Sequence, residues 1–107
     1  MSEHKSVTSP TVKAINDHFP GRAHAMRRNS GRVKYRIDLG EAGTPDIEVM
    51  LRGGRTLWIE TKTPEGELRP TQVTWHARAR QLGHTVVIAR SPQQAVNLVH
   101  DALRGRL

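Results

Sequence analysis

The chain has 107 residues, a net charge of +7 and no cysteine. This length excludes a two-lobed enzyme, and the missing cysteine excludes a disulfide framework and a thiol nucleophile. The charge makes a polyanion the expected partner. Most acidic residues lie between positions 37 and 68, with basic flanks on either side, and Arg outnumbers Lys. Arg suits phosphate because its planar fork makes paired hydrogen bonds.

The first residues predict a flexible arm followed by a helix. We expect the arm over residues 1–8 and a single domain over residues 9–107, because no repeat or low-complexity tract divides the chain. Ser9-Pro10 is typical of a helix start, and apolar residues at helical spacing continue until Pro20. This region therefore contributes one short amphipathic helix.

A basic loop and a strand come next in the prediction. Residues 22–32 are basic and end in Asn-Ser-Gly before the next arginine, which indicates a loop with at most a turn. Residues 33–39 alternate between apolar and polar side chains, which predicts a weak first strand. Gly40 then interrupts this pattern.

A β-hairpin follows, and its turn decides which side chains share a face. Apolar residues alternate over 47–51 and 57–61, with Gly53-Gly54 between them. A two-residue loop would place Asp46 and Glu60 on opposite faces. A three-residue loop over 52–54 places Asp46 opposite Glu60 and makes the aliphatic face continuous, so burial favours it.

The C-terminal third predicts a helix, a strand and a last helix. Pro70 suits the first helical position, and Gly83 ends that helix. Residues 86–89 form a short apolar strand, and Ser91-Pro92 opens the last helix. The order is αβββαβα, an α/β domain with a mixed central sheet flanked by helices. The last strand follows a helical crossover and is expected to lie parallel to the third.

The polar face of the hairpin carries the candidate catalytic side chains. Asp46, Glu60 and Lys62 share this face in the acidic part of a basic chain. Neighbouring carboxylates repel each other unless a hard cation such as Mg²⁺ lies between them, and a lysine beside it can hold the attacking water. A structural ion-pair network is the alternative interpretation.

These residues resemble a known family. Pro45-Asp46, Glu60-Thr61-Lys62 and Gln72 at the start of the next helix resemble the motif of VRR-NUC domains, a branch of the PD-(D/E)xK nucleases. The resemblance covers roughly residues 27–99 and includes the stand-alone, phage-encoded nucleases of the branch. It implies an αβββαβ nuclease core and an endonuclease that hydrolyses DNA phosphodiester bonds with Mg²⁺ or Mn²⁺.

The resemblance also implies a role for each motif residue. Asp46 and Glu60 hold the metal with the backbone carbonyl of Thr61, Lys62 orients the water, and Gln72 supports the site. Many members add an acidic residue from the first helix; the candidates here are Asp17, near the end of that helix, and Glu3.

The residues expected to contact DNA lie around this motif. Arg and short polar side chains are the usual donors to phosphate oxygens, and they occur here at Arg27, Arg28, Asn29, Ser30 and Arg69. Trp58 is expected to pack, with base stacking as the alternative. No histidine spacing predicts zinc, and His76, one turn from Gln72, is expected to cap the core.

The remaining predictions concern the assembly, the substrate and the location of the protein. We expect a homodimer, because two copies match the two-fold symmetry of a duplex or a junction. The substrate is expected to be DNA, with a junction or flap as one preference. No membrane and no small-molecule cofactor is expected, and the location is the cytoplasm of a bacterial or phage-infected host cell. The alternatives are a basic module that binds nucleic acid without cutting it and a small RNA-binding protein, which four aromatic residues argue against.

Overall fold

The computed structural model describes residues 7–28 and 41–107. Helices and strands follow one another in the predicted order αβββαβα, which confirms the α/β class. Their bounds are α1 Ser9–His18, β1 Ala23–Arg27, β2 Ile47–Leu51, β3 Arg55–Thr61, α2 Pro70–Gln81, β4 Thr85–Ala89 and α3 Pro92–Leu103. None of the helices in these two described ranges is long and apolar enough to cross a membrane.

The strands form one mixed sheet in the order β1-β2-β3-β4. The pairs β1–β2 and β2–β3 are antiparallel, whereas β3 and β4 are parallel. A parallel pair needs a crossover connection, and α2 supplies it between β3 and β4. The mixed sheet and the parallel last strand are therefore as predicted.

The hairpin has the register that the three-residue loop predicts. Leu51 pairs with Arg55, and Ile47 pairs with Ile59. The Gly54 N–H donates to the Leu51 carbonyl at 3.2 Å, and Gly53 and Gly54 have φ angles of 93° and 79°. Both glycines are therefore in the left-handed region, which other residues rarely adopt. The alternative two-residue turn is excluded.

The first strand differs from the prediction. The structure forms β1 from Ala23–Arg27, within the segment predicted as a loop, and β1 pairs along β2. The prediction failed because two buried alanines replace the larger aliphatic residues on which an alternation signal depends. The Asn16 side chain accepts from Ala25 N at 2.8 Å and donates to Ala25 O at 3.1 Å, which satisfies both backbone groups of Ala25. The strand predicted over residues 33–39 lies outside the described residues.

The two faces of the sheet bury different kinds of side chain. Helices α1 and α3 cover one face of the sheet, and the hydrophobic side chains fully buried between these helices and the sheet are Ile15, Phe19, Ile47, Val49, Leu57, Ile59, Ala89, Ala95 and Val99. Helix α2 covers the opposite face, where Trp58 and Glu60 contact it. Burying each Val, Leu or Ile contributes about 1.5–3 kcal/mol. The aliphatic face therefore stabilises the sheet, and the other face is left for polar groups.

A close backbone contact joins the segment before β2 to α2. Gly43 has a φ of +91°, and a Cβ at this position would lie 2.2 Å from the Thr71 carbonyl oxygen. Such a distance is far below van der Waals contact, so only glycine fits here. Because Gly43 precedes Asp46 by three residues and Thr71 precedes Gln72 by one, this contact fixes two predicted site residues relative to each other.

The close contact between Gly43 and the Thr71 carbonyl predicts that a larger residue at position 43 destabilises the fold. Gly43→Ala should lower the free energy of unfolding by about 1–3 kcal/mol more than Gly53→Ala, because overpacking adds to the backbone cost. Gly53 is the matched control, since its φ of +93° is nearly the same and nothing lies within 4 Å of its added Cβ. Urea unfolding followed by circular dichroism measures both. Equal losses for the two variants would show that the close contact does not constrain the fold.

Candidate active site

Charged side chains are buried together where β2 begins and β3 ends. Asp46 precedes β2, Glu60 and Thr61 end β3, and Lys62 follows directly. Asp46 is 5% exposed, Glu60 1% and Lys62 2%. Burying charge is costly unless the groups are paired or bound to an ion. Three buried charges in so small a region therefore indicate a functional site.

Thr61 holds the carboxylate of Asp46. Its backbone N–H donates to Asp46 Oδ2 at 3.0 Å, and its hydroxyl donates to the same oxygen at 2.8 Å. The hydroxyl of Thr8 is hydrogen-bonded to that of Thr61. Because the Thr61 hydroxyl proton goes to Asp46, Thr8 must be the donor. Thr8 and Val7 are buried, although the sequence assigned them to the arm, so α1 is connected to the site through this hydroxyl.

Helix α2 holds the carboxylate of Glu60. Gln72 Nε2 donates to Glu60 Oε2 at 3.1 Å, while Gln72 Oε1 accepts from the Arg69 N–H at 2.8 Å. The second bond fixes the orientation of the amide, so that its NH₂ group must face Glu60. His76 Nε2 lies 3.4 Å from Glu60 Oε1. Both oxygens of Glu60 are thus contacted from one face of α2.

His76 contacts Glu60, although the sequence assigned it to the core and not to the site. The pKa of His76 is lowered to about 4, chiefly by burial and also by the charges of Arg80 and Lys62, while Asp46 acts in the opposite direction. The imidazole is therefore neutral at pH 7, and it donates to Glu60 in the tautomer that carries the proton on Nε2. The available signal was its spacing of one helical turn from Gln72.

The connection between Lys62 and α2 is fixed by one arginine. Arg90 Nη1 donates to the carbonyl of Thr63 at 2.9 Å and to that of Gly66 at 2.7 Å. A charged donor makes stronger hydrogen bonds than a neutral one. The loop after Lys62 is therefore held against the end of β4, and α2 starts from a fixed point.

The arginines predicted to contact DNA lie near this site. Arg28 is exposed, its N–H donates to the Asp46 carbonyl at 2.7 Å, and its Nε lies 3.6 Å from Glu48 Oε1. Arg27 is also exposed, and Arg69 is the exposed N-cap residue of α2. These positions border the buried carboxylates. Asn29 and Ser30 lie outside the described residues.

Among the described residues, Asp17 and Trp58 are predicted candidates whose contacts are made elsewhere than at the carboxylates. Asp17 is exposed and pairs with Lys13 on the outer side of α1, so it supplies no ligand. Glu3, the other candidate, lies outside the described residues. Trp58 packs against Trp75 with the ring centroids 5.2 Å apart in an edge-to-face arrangement. The structure therefore supports packing as the role of Trp58.

The donor set is compatible with a hard, hydrated cation. Within residues 7–28 and 41–107, no cluster of three or more His, Asp or Glu side chains is arranged to hold a metal. The candidates are Asp46, Glu60 and the Thr61 carbonyl, which are all oxygen donors. Mg²⁺ is commonly bound by one or two carboxylates and keeps several waters, and Mn²⁺ accepts similar ligands. These residues therefore fit such an ion.

Known proteins resemble this chain in sequence and in fold. No protein-family model matches the chain. A phage protein named "Putative nuclease p44", from Acyrthosiphon pisum secondary endosymbiont phage 1, is 35% identical over 65 residues, which are 60% of this chain and 70% of the relative. A solved structure described as a VRR_NUC domain has the same fold, with a TM-score of 0.63, 20% identity and coverage of 94% of this chain and 97% of that one. The chain therefore belongs to the same family as this phage protein, and its fold is that of a VRR_NUC domain, which confirms the resemblance found in its sequence.

Proposed function

We propose that this protein is a metal-dependent endonuclease that hydrolyses phosphodiester bonds in DNA. The observation that carries the proposal is the burial of Asp46, Glu60 and Lys62 together beside Thr61. The family and the name of the phage relative support a nuclease. The net charge of +7 suits a polyanionic substrate, and a branched DNA such as a junction or flap is one candidate.

Asp46 and Glu60 would hold Mg²⁺ or Mn²⁺ together with the Thr61 carbonyl. When bound, such an ion supplies Lewis-acid chemistry, which polarises the phosphate and lowers the pKa of a coordinated water. Asp46 Oδ2 already accepts two hydrogen bonds from Thr61. These bonds orient the carboxylate.

Lys62 provides the positive charge on the protein's side of the reaction. Its ammonium is a compact cation with three donors, and burial strengthens its interaction with oxygen atoms. It can hold the attacking water and offset the charge that develops on the phosphorus-bound oxygens. Gln72 and His76 do not touch the substrate in this proposal; they position Glu60.

The exposed arginines would hold the DNA backbone across the site. Arg27 ends β1, Arg28 follows it and donates its N–H to the Asp46 carbonyl, and Arg69 lies at the start of α2. Asn29 and Ser30 continue the same segment of sequence. Phosphate contacts of this kind position the DNA without reading its sequence. In this proposal the protein acts in the cytoplasm of a bacterial or phage-infected host cell.

The alternative is a module that binds nucleic acid without cutting it. In that case the buried charges form only a structural network. The two functions differ in cleavage, since a binding module cuts no DNA at all. An enzyme cuts DNA, and removing one buried charge abolishes its cleavage while binding is kept.

Glu60→Gln and Lys62→Met should each abolish Mg²⁺-dependent cleavage and leave DNA affinity within about threefold, because most affinity comes from exposed arginines. Plasmid nicking in Mg²⁺ and gel shifts in Ca²⁺ measure the two effects. Glu67→Gln is the matched control, since it removes an exposed carboxylate from the loop between β3 and α2. Cleavage at the wild-type rate by either buried-charge variant would contradict the proposal.

Gln72→Glu should lower kcat by about tenfold or more with little change in KM. The new carboxylate can still accept from the Arg69 N–H, but it cannot donate to Glu60 and it adds a like charge. Gln81→Glu, at the far end of the same helix, controls for the change of charge. An unchanged kcat for Gln72→Glu would contradict the role of Gln72 in positioning Glu60.

The protein should form a homodimer with a mass twice that of the 12.0 kDa chain. One site of this kind cuts one strand, and two copies related by a two-fold axis match the symmetry of a duplex. Light scattering at micromolar concentration, with and without DNA, measures the mass. A 12.0 kDa particle in both conditions would count against the dimer.

A further inference from the structure

A basic cleft lies at the end of the sheet opposite the candidate active site. The α1–β1 turn, the β2–β3 turn and the C-terminus of α3 enclose a volume of about 310 Å³. Its lining residues are Arg22, Arg52, Gly53, His100, Leu103 and Arg104. We refer to it as the arginine cleft. Three arginines and no carboxylate line it, although the chain has ten acidic residues.

The cleft is too far from Glu60 for one phosphate to contact both places. Arg55 follows the turn that borders the cleft, and Glu60 lies five residues further along β3. A strand rises by about 3.3 Å per residue, so the separation is about 17 Å. The arginine cleft is therefore a separate place on the molecule.

The walls of the cleft are held by packing and backbone contacts. The Arg22 guanidinium lies 5.1 Å from the ring centroid of buried Phe19. The Arg52 N–H donates to the Arg22 carbonyl at 2.8 Å, which joins the two turns. Arg22, Arg52 and Arg104 take part in none of the ion pairs found among the described residues. Their charge is therefore not offset by a carboxylate of the described chain.

One feature of the cleft would oppose an anion. The C-terminus of α3 borders it, and the free carbonyls of a helix end carry partial negative charge. Arg55 counters this effect, because its Nη1 donates to the Ala102 carbonyl at 2.8 Å and its Nη2 to the Leu103 carbonyl at 3.5 Å. The arginine charges therefore dominate the local potential.

We propose that the arginine cleft binds the phosphate backbone of a DNA segment separate from the segment at the active site. The choice of DNA as the polyanion rests on the proposed function. Arginine forks match phosphate oxygens, and the fold brings together arginines from two turns and from the C-terminus of α3. The segment is either the continuation of one duplex or a second arm of a branched DNA, and both present the same backbone.

Salt-dependent binding tests this proposal directly. Each phosphate contact contributes about 0.9 to the slope of log K against log salt concentration. Arg52→Gln and Arg104→Gln should each reduce the slope by about one, and the double variant by about two. Arg78→Gln is the charge-matched control, since Arg78 is exposed on α2 outside both the cleft and the active site. It should change the slope by less than half as much.

Fluorescence anisotropy in EDTA measures binding to a duplex of about 30 base pairs, roughly 100 Å at about 3.4 Å per base pair, and to a four-way junction. A reduced slope on both probes supports a continuing duplex, and a reduced slope on the junction alone supports a second arm. Slopes equal to that of Arg78→Gln on both probes would overturn the proposal. Thermal unfolding checks that each variant is folded.

Cleavage separates this proposal from the proposed function. The double variant should cut a duplex of about 10 base pairs at the wild-type rate, since such a duplex spans about 34 Å and can occupy the active site alone. Loss of that cleavage in a folded variant would count against a separate site. If wild-type protein cuts no DNA while the slopes still change, the nuclease proposal fails and the arginine cleft stands.

Discussion

The pairing of β2 with β3 is the constraint on which the rest of the structure depends. Side chains alternate along a strand, so a shift of one residue would move Asp46 and Glu60 to opposite faces. Ile47 pairs with Ile59. This pairing places Asp46, which precedes Ile47, beside Glu60, which follows Ile59. The same register completes the aliphatic face. Burial of apolar surface therefore stabilises the arrangement that a charged site requires, and the cost of burying the charges is met by the same fold.

Helix α2 adds a second constraint, because it closes the polar face of the sheet. The contact of Gly43 with the Thr71 carbonyl leaves no room for a side chain, and it sets the start of α2 against the segment before Asp46. From there, Gln72 and His76 contact the two oxygens of Glu60. Both side chains are neutral at pH 7, so these two contacts orient the carboxylate without forming an ion pair with it. The packing that holds α2 on the sheet therefore also positions the carboxylate of Glu60.

The sequence predicts the hairpin and its register for a physical reason. Two adjacent glycines mark the turn, and large aliphatic residues alternate on both sides of it. The first strand could not be found in this way, since β1 buries alanines, which carry little alternation signal. The contact of His76 with Glu60 also depends on how α2 lies across the sheet. Tertiary packing, rather than local sequence, decides both features.

The central claim of this account is that buried charges at the ends of β2 and β3 form a metal-dependent cleavage centre. The most direct measurement is the incubation of wild-type protein with supercoiled plasmid in Mg²⁺, in Mn²⁺ and in EDTA. The account predicts nicked or linear DNA with either metal ion and intact plasmid in EDTA, because the carboxylates alone supply no Lewis acid. Equal cleavage in EDTA, or intact plasmid and intact branched DNA in all three conditions, would contradict it.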